Sequence, residues 1–339
     1  MAKKEIAVVI LNWNGRALLE KFLPSVLKYS ETAAIYVADN ASTDDSVSFL
    51  KMNYPSVKII QNQENGGYAK GYNDALKYVD EELLCLLNSD IEVTKDWLLP
   101  IVTLFNTEPE TAIIQPKILD FNNKVFFEYA GAAGGFIDKY GYPYCRGRIF
   151  DTIEKDLGQY NDTIPIFWAS GACLFIRKSV FNKLNGFDET FFAHMEEIDL
   201  CWRAHNHGYT TKYTSASTVF HVGGATLNTA NPKKTYLNFR NSLFTITKNA
   251  PKNILILILT RLVLDGLAGL KFLFSLKFAH LIAILKAHGR FYFALPKLLK
   301  KRRVLKQELK ESILTSAPKE YYQVKSIVWH YFVKNQKKF

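Results

Sequence analysis

The feature that most constrains the fold of this 339-residue chain is a repeated pattern in residues 5–90. Short apolar segments, each followed at once by polar residues, alternate with segments whose apolar residues have helical spacing. The four predicted strands are Ile6–Leu11, Ile35–Ala38, Val57–Ile60 and Leu83–Leu87. Strands that alternate with helices in this way indicate βαβ units. We therefore predict an α/β fold with a mostly parallel sheet flanked by helices.

The residues that follow these strands are amides and carboxylates. Asn12, Asp39 and Asn65 follow the first three strands, and Asn88-Ser89-Asp90 ends the fourth. The carboxyl ends of parallel strands form the ligand-binding edge of open α/β folds. Solvated loops are the alternative explanation, but they give no cause for so many polar side chains at one edge. The pattern favours a ligand site there.

Beyond the fourth strand the pattern changes. Trp97–Phe105 has the spacing of a helix, Ala112–Ile118 that of a strand, and Thr210–Val219 is a predicted strand that delivers His221. Residues 120–165 are rich in Gly, Tyr and Asn and have little periodicity. They predict a loop-and-hairpin region, where ligand-binding elements often lie.

Composition excludes several classes of protein. With 48% hydrophobic residues, the chain can bury a sizeable core. Its four cysteines are scattered without a CxxC pair, which argues against a disulfide framework or a zinc site. An apolar strand follows Met1 closely, with no signal peptide between, so we expect a cytoplasmic protein in a reducing compartment.

Charge divides the chain into two predicted regions, 1–250 and 251–339. Residues 251–339 carry 18 Lys and Arg against 4 Asp and Glu, a net charge of +14, which leaves −3 for the first 250 residues. Apolar segments of the second region, such as Ile254–Leu264, are interrupted by Lys and Arg and fall short of the roughly 20 residues that span a bilayer. They suit attachment to an anionic membrane surface. The alternative is a helical subdomain that packs on the first region or on a dimer partner.

Residues 5–225 contain a series of short motifs in a fixed order: Asn12-Trp13-Asn14, Val37–Asp44, Asn65-x-Gly67 with Asn73, Leu87–Asp90, Gly171-Ala172, Phe187–Phe192, Glu196–Arg203 and His221-x-Gly223-Gly224. Each motif is weak singly, but their order and spacing together are specific. They resemble the motifs of the family 2 glycosyltransferases, the inverting GT-A group. Within that group they are most similar to the bacterial rhamnosyltransferase-like members. The resemblance implies a GT-A catalytic domain over 1–250 and a basic, apolar helical region over 251–339.

The resemblance also implies a binding site for a nucleotide-sugar. Asp39 accepts a hydrogen bond from the pyrimidine ring N–H. The alternative is that it caps the following helix, for which Ser42 or Thr43 is the predicted N-cap and Asp44 is a better capping candidate than Asp39. The other residues implied for the nucleotide-sugar are Asn12, Asn65, Gly67, Asn73, Asn88, Trp168 and Gly171. Asn65 and Gly67 are alternatively a simple turn, and Trp168 is alternatively a core residue.

A diphosphate leaving group needs charge neutralisation, which a hard divalent cation supplies through oxygen ligands. By resemblance, Asp90 is the ligand of Mn²⁺ or Mg²⁺ and His221 completes the site, although a histidine after a strand is often only structural. Asn88 stands where the family's DxD motif has its first Asp. This departure lowers the charge of the site, so we assign Asn88 to the sugar nucleotide.

The proton of the acceptor hydroxyl requires one positioned carboxylate. By resemblance the base is Glu197, but this position is Asp in the family, so Glu196 and Asp199 stay open as alternatives. Glu196 and Asp199 share a helix face, being three residues apart. The alternative is that all three carboxylates only place negative charge in the first turn of a helix, where the helix dipole favours it. Arg203 is predicted to pair with Asp199.

The sequence thus predicts an inverting, metal-assisted glycosyltransferase of cell-surface polysaccharide synthesis. Its donor is dTDP-rhamnose or a UDP-sugar, and its acceptor is a glycan on a lipid carrier at the inner face of the cell membrane. Two alternatives stay open. A sugar nucleotidyltransferase would carry a basic, Gly-rich loop near its first strand, where this chain has only Arg16 after Asn12–Gly15. A non-catalytic membrane- or nucleic-acid-binding protein would use the basic region, but it has no need of the carboxylates; we expect no nucleic acid.

Overall fold

The computed structural model describes residues 4–223, 231–251, 254–311 and 322–339. Its first part alternates strands with helices as predicted. The elements are β1 (Ile6–Asn12), α1 (Arg16–Tyr29), β2 (Ala34–Asp39), α2 (Ser46–Asn53), β3 (Lys58–Gln61), α3 (Gly67–Ala75) and β4 (Leu83–Asn88). The strands β1, β2 and β4 are buried along almost their whole length because helices cover both faces.

The second part extends the sheet. Its elements are β5 (Ile91–Val93), α4 (Leu99–Thr107), β6 (Thr111–Asp120), β7 (Gly135–Ile137), β8 (Pro143–Cys145), β9 (Arg148–Ile149), β10 (Thr152–Ile153), β11 (Thr163–Ile166), β12 (Cys173–Arg177), α5 (Lys178–Lys183), α6 (Glu196–Asn206) and β13 (Thr210–His221). The region 120–165 contains a small antiparallel sheet, β7 to β10, in agreement with the predicted loop-and-hairpin region; the irregular hydrophobic pattern did not reveal its individual strands.

In the part of the chain that the structure describes, nine strands form one sheet. Its order is β11-β13-β6-β12-β4-β1-β2-β3, and β5 pairs with β13. The pairs among β1 to β4 are parallel, whereas β12 runs antiparallel between β4 and β6. The predicted α/β class is confirmed, and the complete sheet is mixed because β12 and β11 reverse direction.

Four further helices complete the described chain. They are α7 (Pro232–Asn249), α8 (Ile254–Phe274), α9 (Phe278–Glu311) and α10 (Ile327–Phe332). The helix α9 packs along α7 and α8 packs against both. The C-terminal segment returns to the small sheet, where the backbone N–H of Ile327 donates to Asp138 Oδ2 at 2.9 Å. None of the helices in residues 4–223, 231–251, 254–311 and 322–339 is both long and apolar enough to cross a bilayer.

Two details differ from the sequence-based expectations. The N-cap position of α2 is Asp45, and the carboxylate that accepts from the first turn, at Ser46 N, belongs to Asp44. The prediction of Ser42 or Thr43 was therefore wrong, because the chain makes a further turn before the helix begins, whereas Asp44, the other capping candidate, does accept from the first turn. The predicted motif residue Gly224 lies outside the described residues.

Candidate active site

The polar strand ends meet at one edge of the sheet, as predicted. The parallel register places Asn12 beside Asp39 and Leu11 beside Asn88. On the other side of β4, the carbonyl of Ala172 accepts from Asn88 N at 3.0 Å. Residues from three neighbouring strands and the turn before β12 therefore line one end of the sheet.

Asp39 is held by hydrogen bonds on both carboxylate oxygens. Asn12 Nδ2 donates to Oδ1 at 3.2 Å, and Ser42 N donates to Oδ2 at 3.0 Å. The carboxylate is only 2% exposed. It makes a local turn and does not cap α2, so the capping alternative does not describe Asp39. Each oxygen of the ionised carboxylate keeps capacity for a further donor.

The segment Asn65–Gly67 shapes the start of α3. Asn65 Oδ1 accepts from Gly67 N at 3.0 Å, and Gly67 has a φ of +76°. A Cβ at this position would lie 2.2 Å from the carbonyl oxygen of Phe192, which also accepts from Tyr68 N at 2.9 Å. Only glycine allows this close approach. The start of α3 is thereby fixed against the loop that leads into α6.

Asp90 and His221 are neighbours because β5 pairs with β13 and sets Ile91 opposite His221. Asp90 Oδ1 lies 3.1 Å from His221 Nε2, and both side chains are buried. The other ring nitrogen, Nδ1, lies 3.3 Å from Glu128 Oε1. Burial alone lowers the pKa of a histidine, but the carboxylates of Glu128 and Asp90 outweigh it and raise the pKa of His221 to about 10.

The spacing of Asp90 and His221 fits a divalent cation. Two ligands at right angles around an ion, each about 2.1 Å away, lie about 3 Å apart, close to the observed 3.1 Å. Glu128 faces the opposite ring nitrogen, which is where a carboxylate orients a metal-bound histidine. Across residues 4–223, 231–251, 254–311 and 322–339, no cluster of three or more His, Cys, Asp or Glu suits a metal. The donor set suits an ion that takes its other ligands from phosphate oxygens and water.

Glu196 and Glu197 begin α6 directly after a strained turn. His194 and Met195 both have positive φ values, 68° and 73°. Neither residue is glycine, so this backbone costs free energy and requires support from its surroundings. The support comes from α7, where Asn241 Nδ2 donates to the carbonyls of Ala193 and His194 at 2.9 and 2.7 Å.

The two glutamates differ in exposure. Glu196 is buried and Glu197 is partly exposed, and one oxygen of each has no hydrogen-bond partner among the described residues. Burial raises the pKa of Glu197 to about 7, and it raises the pKa of Glu196 well above its ordinary value, with the charge of Glu197 adding to the effect. A carboxylate with one unpartnered oxygen and a pKa near neutrality is suited to accept a proton.

Tyr68 connects these glutamates with the strand ends. Its hydroxyl donates to the carbonyl of Gly171 at 2.8 Å, beside the Ala172 that holds Asn88. Burial raises the pKa of the Tyr68 phenol, and the charges of Glu196 and Glu197 raise it further. The predicted base, Gly171 and the strand-end residues therefore surround the same region.

Asp199 has a different environment. It is fully buried, and its carboxylate accepts from Arg203 Nε at 2.9 Å, Lys248 Nζ at 2.8 Å and Asn249 Nδ2 at 2.7 Å. Burial raises the pKa of a carboxyl, but Lys248 and Arg203 outweigh it and lower the pKa of Asp199. The predicted pairing of Arg203 with Asp199 is confirmed. A carboxylate saturated in this way is a structural anchor and a poor base.

Two predicted binding residues also have structural contacts. Trp168 is buried, and its indole N–H donates to the carbonyl of Phe136 at 2.9 Å, as in the core alternative. The side chain of Asn73 holds the turn after α5, where it donates to the carbonyl of Phe187 and accepts from Phe187 N, both at 2.9 Å. Neither side chain presents its polar atoms to the strand-end site.

The sequence did not single out Glu128, Tyr68 or Asn241. Glu128 lies in the loop region without periodicity, and Asn241 lies in a helix that carries no recognised motif. Tyr68 follows the Asn65–Gly67 motif directly, so its position was the one available signal. Their roles depend on contacts between residues far apart in the chain.

Replacing Asn241 with alanine should reduce turnover about 10- to 100-fold, because small displacements of a reacting group cost this much. The variant removes both bonds that hold the strained turn, so Glu197 moves and becomes better solvated. Steady-state kinetics should show a lower kcat with little change in the donor KM, and the acid limb of the pH profile should move to lower pH. Ser242→Ala, whose buried hydroxyl has no partner among the described residues, is the matched control. An unchanged kcat and acid limb would contradict the positioning role.

Two solved structures share this architecture. GalNAc-T7, solved with UDP, GalNAc and Mn²⁺, superimposes with a TM-score of 0.55 at 16% identity, over 73% of this chain and 48% of that one. The mannosyltransferase PcManGT from Pyrobaculum calidifontis, in complex with GDP-Man and Mn²⁺, has a TM-score of 0.52 at 13% identity, over 91% and 87%. The fold is that of the GT-A glycosyltransferases.

The chain belongs to glycosyl transferase family 2, whose family model matches residues 7–184. The N-acetylglucosaminyl-diphospho-decaprenol L-rhamnosyltransferase of Mycobacterium tuberculosis is 24% identical over 231 residues, 64% of this chain and 75% of that protein. The rhamnosyltransferase WbbL of Escherichia coli K12 is 25% identical over 227 residues, 64% and 83%. Agl10, a low-salt glycan biosynthesis hexosyltransferase of Haloferax volcanii, is 25% identical over 207 residues, 59% and 61%. The predicted family, its rhamnosyltransferase-like branch and the glycosyltransferase class are confirmed.

Proposed function

We propose that this glycosyltransferase moves a sugar from a nucleotide-diphosphate donor to a glycan acceptor with inversion at the anomeric carbon. The observation that carries the proposal is the pairing of Asp90 with His221 at 3.1 Å at the strand ends, together with the contact of Tyr68 with Gly171, which connects the strand ends with Glu197. dTDP-rhamnose is the first candidate donor, because two of the similar proteins are rhamnosyltransferases. UDP-sugars are the second.

The proposed reaction is a single displacement at the anomeric carbon, with Glu197 as the base. The acceptor hydroxyl oxygen forms a bond to the anomeric carbon while its proton passes to the Glu197 carboxylate. The bond from the anomeric carbon to the diphosphate oxygen breaks, and the nucleoside diphosphate leaves with the electron pair. Glu197 suits the base better than Glu196 or Asp199, because Glu196 is buried and Asp199 is saturated by Lys248, Arg203 and Asn249.

Asp90 and His221 are the proposed ligands of Mn²⁺ or Mg²⁺, with Glu128 orienting the histidine ring. When bound, such an ion neutralises the charge of the diphosphate leaving group. Asp39 is proposed to accept from the base N–H, and Asn12, Asn65, Gly67 and Asn88 to shape the surrounding pocket. Gly171 is proposed to border the acceptor side beside Tyr68.

The acceptor is proposed to be lipid-linked, as the name of the mycobacterial relative states for that protein. The cytoplasmic, membrane-peripheral location predicted from the sequence is part of the same proposal. It is supported by the basic C-terminal region, which carries a net charge of +14.

A thermal-shift screen of nucleoside diphosphates and their sugars, with and without Mn²⁺, tests this proposal. We expect a dTDP- or UDP-linked sugar near 100 times its Kd to raise Tm by several degrees when Mn²⁺ is present, since ligand that binds only the folded state stabilises it. Asp90→Ala should lose the metal-dependent part of the shift. Asp80→Ala, at a side chain 92% exposed, is the matched control.

Two results would count against the proposal. If no nucleotide raises Tm with or without Mn²⁺, the proposed nucleotide-diphosphate donor is wrong. If Asp90→Ala responds like the wild type, Asp90 is not a metal ligand.

For the donor that binds, NMR of the product should show the anomeric configuration inverted.

A further inference from the structure

The helix α8 has its polar and apolar faces reversed relative to a helix of a water-soluble domain. Its buried residues include two charged ones, Arg261 and Asp265. Arg261 Nη1 donates to the carbonyl of Gly141 at 3.0 Å, and Asp265 accepts from the hydroxyl of Tyr142 at 3.1 Å. A helix normally directs its apolar face to the protein and its charges to water. In α8 the charges anchor the helix to the protein instead.

The outer face of α8 is a continuous apolar stripe. Its exposed residues are Leu255, Ile256, Leu259, Val263, Leu267, Leu270, Leu273 and Phe274. Six of them recur every three or four positions along a helix of 21 residues, which is about 32 Å long: Ile256, Leu259, Val263, Leu267, Leu270 and Phe274. The beginning of α9 continues the stripe with Phe278, Ile282 and Leu285. Single exposed apolar residues need no explanation, but a contiguous face of this length marks an interaction surface.

The charges around this stripe have one sign. Residues 254–307 contain eleven Lys and Arg and a single acidic residue, the buried Asp265. Lys271, Lys277, Lys286 and Arg290 are all exposed and follow or interrupt the apolar positions. An apolar face bordered by cations complements a surface that is apolar inside and anionic at its boundary.

The turn between α8 and α9 lies at the same end of the molecule as the proposed active site. His280 Nδ1 is 2.8 Å from Thr235 Oγ1 in the first turns of α7. The neighbouring Lys233 and Lys234 lie over the rings of Phe192 and Tyr129, at 5.2 and 5.7 Å from the ring centroids. Phe192 belongs to the loop before Glu197, and Tyr129 follows Glu128. A surface that covers this turn is therefore close to the entrance of the site.

We infer that α8 and the first half of α9 lie flat in the headgroup region of an anionic lipid bilayer and hold the active-site end against it. A second copy of the chain is the other occupant that an apolar face permits. A symmetric dimer through this face would bring the same cations of both copies together without acidic partners, which disfavours it. This inference rests on the proposed function and deepens its membrane-peripheral location, but the lipid contact is measured without the proposed reaction.

Co-sedimentation of the full chain with vesicles tests the inference. We expect binding to vesicles of phosphatidylglycerol and phosphatidylethanolamine, weaker binding as NaCl increases, and at least tenfold weaker binding to phosphatidylcholine. The double variant Val263→Glu, Phe274→Glu, at side chains 66% and 83% exposed, should lower the partition coefficient at least tenfold. Met52→Glu on α2, at a side chain 81% exposed, should leave it unchanged.

A second pair of variants tests whether the exposed cations beside the apolar stripe contribute to vesicle binding. Lys271→Gln with Lys277→Gln should weaken binding to the anionic vesicles severalfold, whereas Lys51→Gln with Lys95→Gln, which removes two exposed cations elsewhere, should have a smaller effect. Equal effects of the two pairs would overturn the placement of the anionic contact.

The inference fails if the wild type does not bind the anionic vesicles or if the Val263, Phe274 variant binds as well as the wild type. It also fails if sedimentation shows a stable dimer that this variant dissociates but that added vesicles do not dissociate. Binding is measured without donor or metal, so a failure of the proposed reaction would leave it unchanged. Conversely, transfer to a water-soluble acceptor should be unaffected by the variant.

Discussion

Glu197→Gln should reduce kcat by about 10² to 10⁴, the range that a general base contributes. The amide keeps the size of the side chain but cannot take the acceptor proton. Its binding of the donor should persist, because the nucleotide-sugar site is assigned to the strand ends and not to α6. The pairing of lost turnover with retained donor binding is the result that identifies a base.

The pH profile gives this prediction a second measurement. The pKa of Glu197 is raised to about 7 by burial, and it faces Glu196, Tyr68 and Cys201. The base must be ionised to act, so wild-type kcat should fall about tenfold per pH unit below pH 7. The residual activity of Glu197→Gln should lack this acid limb.

The pH dependence of folding stability should be opposite to that of kcat. A carboxyl whose folded pKa is raised binds its proton more tightly in the folded state, so its ionisation destabilises the fold as pH increases from its ordinary value of 4.5 towards 7. Above pH 7, Glu197→Gln should therefore be as stable as the wild type or more stable. Glu196→Gln and Asp199→Asn are the parallel variants; if either removes the acid limb while Glu197→Gln keeps it, the base is that residue.

Lys248→Met should lower the free energy of unfolding by about 3–5 kcal/mol, the usual cost of breaking a buried ion pair from one side. The ammonium of Lys248 is buried and donates to Asp199 at 2.8 Å and to Asp188 at 2.5 Å. Methionine has a similar volume but leaves both carboxylates with one cation fewer. Arg203 and Lys301 remain beside them and keep the cost from being larger.

The effect of Lys248→Met should depend on pH. Burial alone raises carboxyl pKa values, but the neighbouring cations outweigh it and lower those of Asp188 and Asp199 in the folded state. The stabilisation is therefore present above their ordinary value of 3.8 and is lost as pH falls below it. Urea denaturation should show the full difference at pH 7 and a smaller one near pH 3.

Lys77→Met is the control for that experiment. Lys77, in the turn that follows α3, is 66% exposed and pairs with Asp74 at 2.7 Å. Exposed pairs contribute about 0–1 kcal/mol, so the variant should be nearly neutral. Equal losses for Lys248→Met and Lys77→Met would mean that the buried network does not stabilise the fold as argued.

The sequence was most informative where local pattern decides structure. The alternation of β1 to β4 with helices followed from hydrophobic spacing, and the meeting of Asn12, Asp39 and Asn88 followed from parallel pairing. Hairpins were predicted for residues 120–165, but the individual strands β7 to β10 were not, because they are two or three residues long. Short strands of this kind carry too few positions for a period to be seen.

The site was predictable only in part for a related reason. Asp90 and His221 belong to motifs, so the resemblance named both. The functions of Asp199 and Asn73 depend on which partners surround them, and those partners, Lys248 and the Phe187 turn, are distant in sequence. Likewise the reversed faces of α8 could not be predicted from an apolar segment. In the sequence, Arg261 and Asp265 are only charged residues that interrupt the apolar pattern, and their burial is explained by their contacts with Gly141 and Tyr142.

The position of β13 in the sheet has a consequence for the order of assembly. This strand lies between β6 and β11, both of which precede it in the chain, and it ends at His221. During synthesis β6 keeps an open edge and β11 has no sheet partner until residues 210–221 have emerged. The proposed metal site is therefore assembled only when the last strand of the sheet closes that gap. A folding intermediate that lacks β13 should have no metal-dependent stabilisation, so the response to Mn²⁺ would report the completion of the sheet itself.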